Sequence, residues 1–347
     1  IPHGLRQTIR IPNNIQVGGD ISFSGSTYTL TRNTVYHGGG SMAFSGSFSA
    51  RSMSYAGRLQ ANRFPLHAFM PSMNLSPLTA TFNIKGHGTD FMSGGTNVTA
   101  RGAIASFAYD GIPLDGVSLD ADLKGTQVHA VLLSDNRWLK ANLNITAAKN
   151  GHETSVALNG NIDQFSLNLG KTLKPGENPT DLTLIMGIDL QARFNDKTNA
   201  MAVAGTIDPL NAITSSMGFP GGSLQIDFFT DDHSTNARLS SGDMAIQLNS
   251  PESVSGIISG YSECAALLSE QFAEARLNAD TLRTLLPNLD LTVRATRNNP
   301  VQQFLAMQGY AFDSLYAHVN TGKDSGLNAD IDLRSFKAGA VLLEHSS

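Results

Sequence analysis

Cysteine is all but missing. Cys264 stands alone, which excludes internal disulfides and any cysteine-ligated zinc. Charge is scarce as well: Asp, Glu, Lys and Arg make up 15% of the 347 residues, against roughly 25% in ordinary soluble domains. Polar surfaces must therefore be built from Ser, Thr, Asn and Gly. The 24 Lys+Arg against 29 Asp+Glu leave a net charge of −5, without the basic excess that nucleic-acid binding demands. No run of ~18 apolar residues occurs, so no transmembrane helix is expected in this stretch. Aromatic residues are 7% with a single Trp, which speaks against a sugar-stacking adhesin. The chain opens on Ile1 with no charged-then-apolar leader, as expected of an internal fragment or a mature product; the missing signal says nothing of the parent. Hydrophobic residues are plentiful at 41%, enough to bury a core, and the length admits two domains or one long β domain.

What is present is alternation. Phe82-Asn-Ile84, Leu119-Asp-Ala-Asp-Leu123, Leu143-Asn-Ile145, Val156-Ala-Leu158, Leu182-Thr-Leu184, Leu224-Gln-Ile226-Asp-Phe228 and Ala329-Asp-Ile-Asp-Leu333 each place apolar side chains on every second position. Successive strand side chains point to opposite faces, so each segment is half apolar and half wetted. That is the signature of antiparallel sheets with one solvated face. Lys149-Asn150-Gly151-His152 carries the strongest short hairpin signal, Asn-Gly; Asn195–Asn199 and Asp231–Ser234 also separate alternating runs. The pattern predicts a meander of sequential hairpins.

One region departs from it. From Pro251 to about Arg276 the apolar positions Val254, Ile257, Ile258, Tyr261, Cys264, Leu267, Leu268 and Phe272 recur at spacings of three and four, one face of a helix. Asp280 is expected to cap a short second helix through Leu285, ended by Pro287. Asn299-Pro300 starts a third, with Gly309 beyond its end. A smaller helical turn is expected at Pro65–Phe69. The expected organisation is β over 1–250, a helical insert over 251–309 and β again over 310–347. Two roles stand open for the insert: to plug, cap or gate the apolar face, or merely to decorate it.

Sites of chemistry are sparse. Gly170-Lys171-Thr172 lacks the second glycine of a phosphate loop, because position 165 is Phe165. No Gly-x-Ser-x-Gly elbow exists. The nine histidines are scattered without metal-ligand spacing, and Asp231-Asp232-His233 reads as a solvated turn. Asp120/Asp122 and Asp330/Asp332 imitate a glycosidase pair, yet at i,i+2 on a strand they read as solvent-face charges. Cys264 reads as a buried structural thiol, and Trp138 as packing at the end of a hairpin. Asn74, Asn97 and Asn144 head glycosylation triplets that read as chance matches. No cofactor or metal is expected, and an enzyme is the least supported class.

The question that leads to function is what covers the apolar face. A sheet rolled on itself would be a self-packed sandwich or barrel. A sheet left open would expose a long apolar stripe, the mark of a partner or ligand surface. Periodicity leaves both closures standing.

Arg63-Phe-Pro-Leu-His-Ala-Phe-Met-Pro71, followed by Leu78-Thr-Ala-Thr-Phe82-Asn-Ile84-Lys-Gly86, resembles a recurring unit of the AsmA-like superfamily. Tyr109-Asp-Gly-Ile-Pro-Leu-Asp115-Gly-Val-Ser-Leu119-Asp-Ala-Asp-Leu123-Lys-Gly125 is similar to a segment of its TamB family (translocation and assembly module), in the Bacteroidetes version. Leu286-Pro-Asn-Leu-Asp-Leu291 and Arg297-Asn-Asn-Pro300 add to the likeness, which covers roughly residues 50–340. The resemblance implies a mainly β fold: an open, twisted, U-shaped β-groove with an apolar interior. It also implies a periplasmic segment of a parent anchored in the inner membrane, which carries phospholipid towards the outer membrane and serves β-barrel assembly through a BamA-like partner. On that implication the groove is lined by Phe82, Ile84, Leu119, Leu123, Leu143, Ile145, Val156, Leu158, Leu182, Leu184, Leu224, Ile226 and Phe228, which would hold phospholipid acyl chains. The alternative reading is a self-packed scaffold or chaperone that offers strand edges to nascent barrel proteins.

Overall fold

The computed structural model describes residues 11–90, 92–168, 181–214, 218–307, 309–338 and 341–346. The chain is mainly β, in antiparallel sheet that stays open, with four helices among the described residues. It divides into two compact units, residues 1–150 with 157–185, and residues 151–156 with 186–347. That division falls elsewhere than the 1–250, 251–309 and 310–347 partition expected from patterning.

In the first unit the chain runs β1 (Gln16–Ser24), β2 (Thr27–His37), β3 (Gly40–Ser49), β4 (Ser54–Phe64), the short helix α1 (Leu66–Phe69), β5 (Leu78–His87) and β6 (Asn97–Ser106). A small hairpin follows, β7 (Ala108–Tyr109) with β8 (Ile112–Pro113), then β9 (Val117–Lys124), β10 (Gln127–Asp135) and β11 (Leu139–Asn150). Each strand pairs antiparallel with the next, except that β6 skips the small hairpin to pair with β9. Strands β12 (Glu153–Asn168) and β13 (Asp181–Asn195) pass from one unit's residues to the other's.

The second unit continues with β14 (Ala200–Thr214), β15 (Gly218–Pro220), β16 (Leu224–Thr230), β17 (Thr235–Ser241) and β18 (Met244–Ser250). Helices α2 (Val254–Ala273) and α3 (Ala279–Leu285) come next, then β19 (Leu289–Ala295), α4 (Pro300–Met307), β20 (Tyr310–Ala311), β21 (Ser314–Gly322), β22 (Gly326–Ala338) and β23 (Val341–Ser346). The stretch 251–309 is thus not helical throughout. Leu289–Ala295 alternates apolar and polar residues and threads the sheet between β18 and β21.

The helix ends follow local chemistry. Ser253 caps α2 by accepting from the Gly256 N–H. Asn278, not Asp280, caps α3, because its side chain reaches the N–H groups of both Asp280 and Thr281. Asn299 accepts from the Gln302 N–H at 2.9 Å and starts α4 with Pro300 as its first residue. Each of these oxygens satisfies backbone donors that the first helical turn leaves unpaired.

Each unit has its own small core. In the first, Ala61, Phe64, Leu78 and Ala80 are buried under Leu66 and Phe69 of α1. In the second, Met244, Ala295 and Phe312 are buried with Leu305 of α4.

Candidate functional site

Residues directly opposite one another in an antiparallel ladder share a face. In the first unit the registers align Phe44, Leu59, Phe82, Gly102, Leu119, Leu132 and Leu143 in one row across seven strands. Two residues further along, Gly46, Gly57, Ile84, Ala100, Ala121, Ala130 and Ile145 form the next row. Beyond it come Phe48, Tyr55, Gly86, Val98, Leu123, Val128 and Ala147. Six of the residues singled out in the sequence, Phe82, Ile84, Leu119, Leu123, Leu143 and Ile145, therefore lie on one face of one sheet. The opposite face carries Ser45, Arg58, Asn83, Arg101, Asp120 and Asn144 in register, with Val131 the one apolar member of that row.

The second unit repeats the arrangement. Gly205, Ile226, Leu239, Ile246, Val293, Ala317 and Ile331 form one row, and Val203, Phe228, Ala237, Leu248, Leu291, Val319 and Ala329 the next. Leu224 lies one row to the other side, opposite Ile207 and Ser241. The reverse face is polar, with Asp227, Arg238, Gln247, Thr292, His318 and Asp330 in line. There His318 and Asp290 approach to 2.7 Å.

The remaining residues, Val156 and Leu158 on β12 and Leu182 and Leu184 on β13, occupy alternate positions of their strands. All but the exposed Val156 are half-buried.

The apolar face is covered only at its margins. In the first unit α1 lies over the row of Val35, Met42, Ala61, Ala80 and Ile104. The middle rows are partly open: Phe44 is 37% exposed, Phe82 39%, Ile84 38% and Leu119 40%, whereas Leu59, Leu132, Leu143 and Ile145 are half-buried and Ala130 and, one row on, Val98 and Leu123 are buried. In the second unit α4 covers the Met244–Ala295 margin. The other margin is a line of buried hydroxyls, Thr230, Thr235, Ser250 and Thr321. These anchor the helices: Thr230 accepts from the Val254 N–H at 3.1 Å, Thr235 donates to the Glu252 carbonyl at 2.8 Å, and Thr321 donates to the Pro287 carbonyl at 2.8 Å. Helix α2 packs on α3; in the second unit's middle rows Ile331 is exposed, whereas Ile226, Phe228, Leu239, Ile246, Leu291 and Val293 are half-buried.

Titratable groups serve turns. Asp231 accepts from the N–H groups of His233 at 2.9 Å and Ser234 at 2.7 Å, and the His233 N–H holds its carboxylate below the usual range. Asp243 fixes the loop before α4, accepting from the Asn298 N–H and the Asn299 side chain at 2.7 Å each and from Thr296. Desolvation alone would raise the Asp243 carboxyl; the hydrogen bonds from Thr296, Asn299 and Asn298 outweigh it and bring it to about 2. Asp120 pairs with Arg101 at 3.4 Å, and Asp122 accepts from Thr99 at 2.7 Å, both on the polar face. Among the described residues no three His, Cys, Asp or Glu side chains gather as metal ligands would. Gly170–Thr172 lie outside the described residues.

Several members of the rows lie outside the residues expected to line the groove. Phe44, Leu239, Ile246 and Leu248 sit in the alternating runs Met42–Phe48, Ala237–Leu239 and Met244–Leu248, so their signal was present. Leu132 was hidden inside the unbroken run Val131-Leu132-Leu133, where alternation cannot name a face. Compared with protein-family models, with curated proteins and with solved structures, the chain matches none.

Proposed function

We propose that this chain is a lipid-conduit segment of the TamB/AsmA-like kind, holding phospholipid acyl chains against the open apolar face of its sheet. The observation that carries the reading is the coincidence of in-register apolar rows with partly open middle rows, backed by a polar reverse face. The row from Phe44 to Leu143 crosses seven strands, about 29 Å at the usual ~4.8 Å spacing. An acyl chain is about 15 Å long, half the hydrocarbon thickness of a bilayer, so one fits within the row with room to advance. Each buried methylene contributes roughly 0.8 kcal/mol, so the chain is retained without a specific polar contact while the headgroup stays in water. The same reading puts the chain in the periplasm, within a parent anchored in the inner membrane and served by a BamA-like outer-membrane barrel protein.

The test is native mass spectrometry of detergent-free protein, with lipid extraction of the same sample. Bound phospholipid, lost in Leu119→Arg and Ile226→Arg, is the expected result. Protein free of lipid that takes none up from liposomes would overturn the reading.

A second reading, a scaffold that offers strand edges, is favoured by β1. All nine of its residues are exposed, and its only pairing among the described residues is with β2. Crosslinking of nascent barrel strands to β1, lost in Ile21→Pro, would support it over the conduit.

A further inference from the structure

The α2–α3 hairpin is tied to the sheet at its base, where Tyr261 meets Thr321 at 2.8 Å. Beyond that point α2 packs on α3. Cys264 lies 3.9 Å from the Leu282 carbonyl, Gln271 donates to Thr281 at 3.0 Å, and the Asn278 N–H donates to Gln271 at 2.7 Å. Gln271 is buried with both ends of its amide engaged, so the far end of the hairpin has a fixed form. A shallow, open groove of about 900 Å³ runs along it.

Leu267 and Leu277 supply the apolar part of its lining, and Leu277 is 66% exposed. Glu270, Glu274 and Asp280 line the same groove, against one cation, Arg276, which is spent on Glu274. The lining therefore carries a formal charge of 1 − 3, or −2. An anionic bilayer surface is repelled by such a rim. A second copy of a chain whose net charge is −5 is disfavoured for the same reason.

We infer that this groove is a docking site for a cationic amphipathic segment of a partner protein. One large aliphatic side chain would enter between Leu267 and Leu277, and flanking Lys or Arg would meet Glu270 and Asp280. Apolar contact supplies the anchor, and the charges select the partner and speed its arrival.

The inference is independent of the lipid reading. The probe is a fluorescent helical peptide of alternating Lys and Leu blocks, compared by anisotropy with a Glu/Leu peptide of the same length. The full chain is expected to bind the Lys/Leu peptide alone. Glu270→Lys combined with Asp280→Lys is expected to weaken binding about tenfold, as is Leu277→Ser by itself, and added salt should weaken the parent but not the charge-reversed variant. Leu119→Arg, in the lipid face, should leave peptide binding unchanged. Equal binding of both peptides, loss of binding in Leu119→Arg, or indifference to Leu277→Ser would overturn the inference, with circular dichroism confirming that each variant is folded.

Discussion

Phe82 crowds Gly102. The two are directly opposite across β5 and β6, and a Cβ placed on Gly102 would stand 2.5 Å from the Phe82 ring. The glycine thus gives the ring a seat on the apolar face. Gly102→Ala pushes against a side chain that is partly in solvent and free to swing outward, so the cost is expected to stay below about 1 kcal/mol. Gly160 is different. A Cβ there would stand 2.0 Å from the Asn142 carbonyl oxygen, and its φ is +146°, a backbone region essentially reserved for glycine. Gly160→Ala should therefore cost roughly 2–3 kcal/mol, and urea midpoints of the two variants give the comparison.

The cross-strand rows make adjacent residues inequivalent. Phe82 faces the apolar side, whereas Asn83 lies in line with Arg58 and Arg101 on the polar side. Phe82→Arg is expected to abolish lipid co-purification and Asn83→Arg to leave it intact, both with near-native thermal stability because neither site is closed over. Lipid quantified by extraction from matched samples decides it. Equal lipid content in the two variants would defeat the assignment of faces to function.

Acid should loosen the loop before α4. Asp243 has a folded-state value of about 2, below the ordinary 3.8, so its contribution is full above pH 4 and is lost as pH falls towards 2. Asp243→Asn is expected to cost ~1 kcal/mol at neutral pH, after discounting for solvent screening. The gap between parent and variant should close between pH 4 and 2, as read from denaturation midpoints across that range.

Thr321 holds the helical hairpin to the sheet. It is 3% exposed, donates to the Pro287 carbonyl and meets the Tyr261 hydroxyl. Thr321→Val strands both partners, at a cost of about 1–3 kcal/mol for buried groups left unpaired. Amide exchange is expected to quicken across Val254–Leu285 while β16–β18 stay protected. Uniform quickening of the whole unit would mean instead that the hairpin and sheet unfold as one.

Strand identity was written locally. Leu224-Gln-Ile226-Asp-Phe228 and Leu119-Asp-Ala-Asp-Leu123 can present one apolar face only as strands, so the mainly antiparallel β character followed from period-two alternation. Helix α2 followed from the three-and-four spacing over Val254–Phe272, and the start of α4 from Asn299-Pro300. Leu289–Ala295 escaped, absorbed into an insert because helices flank it on both sides. The cap of α3 lies two residues before the expected Asp280, since Asn278 and Asp280 are both competent cap types and only the path of the chain chooses between them.

What the sequence determined by itself was parity within each strand: which residues travel together on one side. Whether the faces of Phe82, Leu119 and Leu143 would meet was a matter of register, and a slip of one residue would have turned any of them to the other side. Register depends on turn lengths, on bulges such as that between Ala61 and Phe64, and on the skipping of the small hairpin by β6. None of these is encoded in a single segment. The openness of the face was likewise a tertiary decision, because closure depends on how far a sheet twists and on where α1 and α4 come to rest, at its margins rather than across its middle rows.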